Sequence, residues 1–162
     1  TLVENNIIMN YVSMRMGVVR EWRRYKKKNS FTIIDKKHIF KDIEKKLLRY
    51  KFFSNLEVKK VKIVVNGGTP TTLAAIKLKL KRYSSELVNG QKLSLSYIKK
   101  THDKLMLMKP EERLKLYGME KGREVVIIYG IFILISILKL INKDSLYVSD
   151  SGVLEGLIQE ID

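Results

Sequence analysis

The chain has 162 residues, a formal net charge of +15 and no cysteine. That length supports one hydrophobic core and makes a single domain the default, while the missing thiols exclude disulfides, thiolate metal ligands and cysteine nucleophiles. The charge excess is one-sided: residues 1–82 carry 21 Lys and Arg against 6 Asp and Glu, whereas residues 83–162 carry 11 against 11. Such a field concentrates polyanions and weakens with salt, although lysine-rich faces also serve solubility alone.

The N-terminus TLVENNIIMN has no basic stretch leading into an apolar run and no small-residue cleavage site, so it does not read as a secretory signal. It begins without Met and as if already inside a strand, which leads us to expect a piece of a longer chain. Leu2 and Val3, then Ile7 to Val12 running on toward Met16, predict two short strands around a turn at Glu4-Asn5-Asn6. Gly17 breaks that pattern. Val18, Val19, Trp22 and Tyr25 follow at helical spacing, with Arg20, Arg23, Arg24, Lys26, Lys27 and Lys28 on the other face. The lone Trp reads as a core or hinge anchor. Asp35 is expected to cap a second helix whose apolar stripe is Ile39, Phe40, Ile43, Leu47 and Leu48, reaching about Tyr50. His38, among the outer lysines, reads as a surface residue.

The middle of the chain, VKIVVNGGTPTTLAAIKLKLK from Val61 to Lys81, combines a β-branched strand, a glycine turn at Gly67-Gly68 and a helix start. Thr69 fits the N-cap and Pro70 the first helical position, where a missing N–H costs nothing. Free amides at such a turn favour an anion beyond the strand end. The same two glycines would also serve any sharp strand-to-helix connection. No Lys follows the second glycine, so this is not a nucleotide-binding P-loop.

Ser84 to Gly90 reads as a connection, Leu93 to Met108 as an amphipathic helix, and Pro110 to Arg113 as the opening of a short helix that stops at Gly118. His102, Asp103, Glu111 and Glu112 do not make a metal cluster, because the two histidines of the chain are far apart and form no ligand pair at helical spacing. Arg123 to Asn142 holds the apolar run VVIIYGIFILISIL, which charge interrupts before it reaches membrane-spanning length; it reads as a helix buried on nearly all sides, with Gly130 and Ser136 allowing close approach. Leu146 to Val148 predicts a strand, and Ser149-Asp150-Ser151 the cap of a closing helix bearing Gly152 and Gly156. Early strands followed by alternation predict an α/β domain with a mixed sheet and helices on its faces.

Four stretches together resemble the Ppx/GppA phosphatase family of exopolyphosphatases and guanosine pentaphosphate phosphohydrolases. They are Ser13-Met14-Arg15-Met16-Gly17, the run NGGTPTTLAAI from Asn66 to Ile76, Gly122-Arg123 leading into VVIIYG, and VSDSGVLEG from Val148 to Gly156. The resemblance implies the C-terminal (second) lobe of a two-lobed protein of the actin-like ATPase (ribonuclease H-like) superfamily, occupying residues 1–162, with the first lobe absent. It implies that Gly67, Gly68 and Thr69 face the interlobe cleft and that Arg123, heading the long helix, meets substrate phosphate. Mg²⁺ belongs to the full-length enzyme with ligands in the missing lobe, so no catalytic or metal residue and no cofactor is expected here, and the lobe alone should bind without cleaving.

Two positions depart from the family pattern: Glu124-Val125 stands where Ala-Asp is usual after the Arg, and Asn89-Gly90 where a His precedes the glycine. Glu124 or Glu120 is therefore a candidate ion-pair partner that would neutralise Arg123. The partners implied are inorganic polyphosphate or a guanosine polyphosphate, with Lys26, Lys27 and Lys28 tracking the polyanion and the N-terminal lobe completing the site. No membrane is implied, nucleic acid is disfavoured, a homodimer is allowed, and the expected location is cytoplasmic. Two alternatives stay open: a non-enzymatic polyanion-binding module, for RNA for example, and a lobe of an ATP-using kinase or ATPase of the same superfamily. Against RNA, the basic half has few aromatics arranged as stacking platforms.

Overall fold

A computed structural model describes residues 1–25, 31–53 and 61–152. Strands β1 (Leu2–Glu4) and β2 (Ile7–Asn10) form an antiparallel hairpin. Asn5 and Asn6 make its turn with φ of 50° and 63°, the left-handed pair that a two-residue hairpin loop requires. The second strand ends at Asn10 and does not run on toward Met16. Helix α1 (Val18–Tyr25) forms as expected, but its buried residue is Glu21, while Val19 is 46% exposed. The reason is a partner on the next helix: Lys46 donates to both Glu21 carboxylate oxygens, at 2.9 and 2.7 Å.

Helix α2 (Ile33–Leu47) starts earlier than expected. Thr32 is its N-cap, and Asp35 sits at N3 in a reciprocal capping box rather than being the cap itself. Ile39, Ile43 and Leu47 form the buried stripe, whereas Leu48, just past the helix end, is exposed. A 3₁₀ turn at Lys51–Phe53 precedes β3 (Val64–Asn66), which leads through Gly67 into α3 (Gly68–Leu78). A short α4 (Ser85–Val88), capped by Ser84, comes before a strand that the sequence pattern did not announce, β4 (Lys92–Ser94). Helices α5 (Leu95–Leu107) and α6 (Pro110–Arg113) then lead to α7 (Arg123–Leu140) and to β5 (Ser145–Ser149).

β5 is the centre of a three-stranded mixed sheet, ordered β3-β5-β4, parallel to β3 and antiparallel to β4. α7 is the core element: α1, α2, α3, α5 and α6 all pack on it, and Ile127, Ile128, Ile131, Phe132, Ile135 and Leu138 are buried along it. Where α3 crosses it, α7 has Gly130, whose missing Cβ leaves room for the Thr69 side chain. Among the described residues no helix is long and apolar enough to cross a membrane. The closing helix expected after Ser151, with Gly156, lies outside the described residues.

Candidate functional site

The parallel pairing of β3 with β5 sets Asn66 beside Ser149, so both strands end at the same edge. The loops that leave them, Gly67-Gly68 after β3 and Asp150-Ser151-Gly152 after β5, therefore meet in space, as ligand sites do beyond the carboxyl ends of strands. An open cleft of about 410 Å³ lies there, lined by both loops with Asn66, Thr71, Tyr83, Glu120 and Arg123.

Gly67 makes the turn, with φ of 97° and ψ of 174°, a conformation that a side chain would strain. It is the N-cap of α3, so the helix begins earlier than the sequence suggested: Thr69 stands at N2 and Pro70 at N3. Pro70 still suits that place, since the first turn has no intrahelical acceptors. For the same reason the amides of Gly68 and Thr69, at N1 and N2, have no helical carbonyl to donate to. Two back-bonds stiffen the turn: the Thr71 hydroxyl donates to the Gly67 carbonyl at 3.1 Å, and the Thr72 hydroxyl to the Gly68 carbonyl at 2.6 Å. The Thr69 side chain lies against Gly130 of α7, and Thr69 is not among the residues that line the cleft.

Arg123, the first residue of α7, lays its guanidinium against Gly68. A Cβ built on Gly68 would sit 2.2 Å from Arg123 Cζ, so only glycine permits the approach. The side chain is 44% exposed, and its ion pair is a loose one with Glu120, Nε to Oε2 at 4.0 Å. Glu124 is instead buried, with Arg113 as its neighbouring cation, so Glu120 is the carboxylate that competes for Arg123. An exposed pair of that geometry holds the guanidinium only weakly and leaves it able to turn to a stronger anion.

Tyr83 and Asp150 were missed by sequence reasoning as site residues. Burial, and then a hydrogen bond to the Asp150 carboxylate, push the Tyr83 phenol up to about 12, so it remains a donor at neutral pH. Asn66 Nδ2 donates to the Ser151 carbonyl at 3.4 Å, which ties the two strand ends together, and the Asp150 amide donates to Asn89 Oδ1, just past α4, at 3.2 Å. The available signal was that each strand runs into a small, glycine-containing loop. Lys26, Lys27 and Lys28 lie outside the described residues.

No group of three or more His, Asp or Glu side chains gathers to hold a metal ion among the described residues. The two carboxylates of the cleft are each engaged, Glu120 by Arg123 and Asp150 by Tyr83. This donor set does not fit Mg²⁺, which asks for free carboxylates at short range and near-octahedral order. What the arrangement offers an oxyanion is the glycine turn at the start of α3, a guanidinium beside it and an open mouth.

The Ppx/GppA phosphatase family model matches residues 1–161. The Aquifex aeolicus PPX-GPPA enzyme superposes with a TM-score of 0.86 at 32% identity, over 98% of this chain and 51% of that one. The type II variant of the Aquifex aeolicus Ppx/GppA phosphatase gives a TM-score of 0.82 at 32% identity over the same shares. An exopolyphosphatase from Cytophaga hutchinsonii, at 21% identity and a TM-score of 0.79 over 96% of this chain and 50% of that one, shares the fold. The chain thus spans about half the length of these solved structures. Among curated proteins no match is found.

Proposed function

This chain belongs to the Ppx/GppA phosphatase family, with the actin-like ATPase fold of that family, and from that premise we propose that it is the second lobe of a two-lobed exopolyphosphatase-type phosphohydrolase. The substrate of the whole protein is inorganic polyphosphate or guanosine pentaphosphate, losing its terminal phosphate to water. The observation that carries the reading is the Arg123 guanidinium seated on the Gly68 turn at the mouth of the cleft.

Hydrolysis of a phosphoanhydride asks the protein mainly to position the phosphoryl group and to stabilise the charge that spreads over its oxygens. Gly67 and Gly68 bring backbone close to the phosphate, the amides of Gly68 and Thr69 donate to its oxygens, and Arg123 donates from the side. Glu120 releases Arg123 when the stronger anion arrives. The metal and the group that activates water belong, in this proposal, to the partner lobe, because the cleft residues of this chain do not make a metal site. Closure of the two lobes then excludes water beyond the attacking molecule. A cytoplasmic location belongs to the same proposal.

The test is phosphate release from polyphosphate and from guanosine pentaphosphate by the two-lobed protein with Mg²⁺, compared with its Arg123→Gln variant. Release that falls about ten-fold or more in the variant is expected. No release above background on either substrate would overturn the reading.

A further inference from the structure

The cleft beyond β3 and β5 has a charge balance that works against an anion: its lining includes two carboxylates, Glu120 and Asp150, and one guanidinium, Arg123. Glu120 meets Arg123 only loosely, at 4.0 Å from Nε. Asp150 follows Ser149, which pairs with Asn66, so its loop adjoins the Gly67-Gly68 turn on which the guanidinium lies. A second carboxylate free to reach that guanidinium would compete with a phosphate for it. What holds Asp150 therefore bears directly on what the turn can take.

Its loop is held at two points, with the Ser151 carbonyl accepting from Asn66 Nδ2 at 3.4 Å and the Asp150 amide donating to Asn89 Oδ1 at 3.2 Å. The carboxylate itself is met by Tyr83. That residue, 42% exposed, comes from the segment between α3 and α4, and its phenol hydrogen-bonds the Asp150 carboxylate. The same hydroxyl also meets the hydroxyl of Thr71, which donates to the Gly67 carbonyl at 3.1 Å. One phenol thus joins the first turn of α3 to the loop after β5, the two walls of the cleft. An O–H bond to an ionised carboxylate is a charge-assisted one, and it takes up charge and lone-pair directions that the carboxylate would otherwise offer a guanidinium.

We propose that Tyr83 is a positioning residue of this cleft: its hydroxyl keeps the Asp150 carboxylate off Arg123 and so leaves the guanidinium to the phosphate that the Gly68 turn takes. This role rests on the cleft reading above and deepens it, because it explains how a site with more carboxylates than cations accepts an anion. Tyr83 acts through Asp150 and does not itself touch the phosphate.

The experiment is a double-mutant cycle on the 162-residue chain, with tripolyphosphate affinity read by calorimetry and thermal unfolding followed on each sample. Tyr83→Phe keeps the ring and removes only the hydroxyl; it should weaken tripolyphosphate about five-fold or more. In the Asp150→Asn background the same change should cost less than about two-fold, since no carboxylate is left to restrain. Equal loss in both backgrounds means that the phenol contacts phosphate directly or serves packing alone, and overturns the proposal. So does a Tyr83→Phe chain that binds as tightly as the parent. Arg123→Gln, measured alongside, tells the two failures apart. If it too binds as tightly as the parent, the cleft reading falls and the role of Tyr83 with it; if it binds about ten-fold more weakly while Tyr83→Phe does not, only the role of Tyr83 falls.

Discussion

Gly68→Ala is the most informative single change at the cleft. The new methyl would sit 2.2 to 2.5 Å from three atoms of the Arg123 guanidinium, so that group must leave the turn. The obstructing atoms are the far end of a long side chain that is 44% exposed, and it can swing into solvent at little cost. Gly68 occupies the first helical position, where alanine is the better residue by up to about 1 kcal/mol. The fold should therefore keep its stability or gain slightly, while phosphate loses its guanidinium donor. Hydrogen bonds to a charged group are worth about 1.5–3 kcal/mol; for a half-exposed Arg the lower part of that range applies, which is roughly a ten-fold loss of affinity. Tripolyphosphate binding by calorimetry and thermal unfolding, measured on the same sample, separate the two effects. If Gly68→Ala binds tripolyphosphate as well as the parent, or unfolds several degrees lower, the guanidinium on this glycine is not the phosphate donor and the reasoning fails.

Lys46→Met should cost on the order of 3 kcal/mol in urea unfolding, because it strands the fully buried Glu21 carboxylate without its partner. His102 is held at about 4 in the fold against 6.5 when unfolded, so below pH 6.5 the unfolded chain takes up a proton that the folded chain refuses. Stability is thus lost as pH falls from 6.5 toward 4, by on the order of 3 kcal/mol, and His102→Phe should flatten that part of the parent's melting-temperature profile. Gly118→Ala combines φ of 86° with a Cβ 2.3 Å from the Ala75 backbone, which cannot swing aside; a loss of about 3 kcal/mol or more is expected in thermal unfolding. Replacing Lys26, Lys27 and Lys28 with Gln should weaken long polyphosphate more than tripolyphosphate, as read by competition binding; equal loss on both would reject a tracking role for this run.

The elements most legible in the sequence are those whose signal is local. The apolar run after Arg123 could only be a buried helix, and α7 is one; the break at Gly67 could only be a turn, since its φ is positive. Misreadings arise where the deciding partner is distant in sequence. Glu21 is buried against Lys46, 25 residues on, and nothing near it in the sequence announces that partner. β4 is three residues long and exists because β5 offers an edge, with Leu93 opposite Leu146. Thr69 looked like a cap because Thr before Pro usually is one; Gly67 took that place, and packing against Gly130 claimed the threonine side chain. Tyr83 and Asp150 join the cleft only through the parallel register of β3 and β5, which no local pattern encodes.

The residues that line the cleft carry little net charge although the first half of the sequence is strongly basic, and this has a consequence for how affinity is divided. Beside the turn stand one guanidinium and two carboxylates, Glu120 and Asp150, so the local charge does little to attract a polyanion from a distance. Its donors are fixed in direction instead: amides at a helix start, and an Arg held against a glycine. Fixed donors discriminate geometry and resist salt, whereas a diffuse lysine field raises encounter rate and is screened within about 10 Å at 0.1 M salt. In the proposed function, capture therefore falls to the lysine-rich first half of the sequence and alignment to the Gly68–Arg123 contact. In the proposed function Glu120, which meets only Arg123 Nε and at 4.0 Å, competes weakly with a phosphate for the guanidinium, so the contact favours anions that offer more than a single exposed carboxylate does.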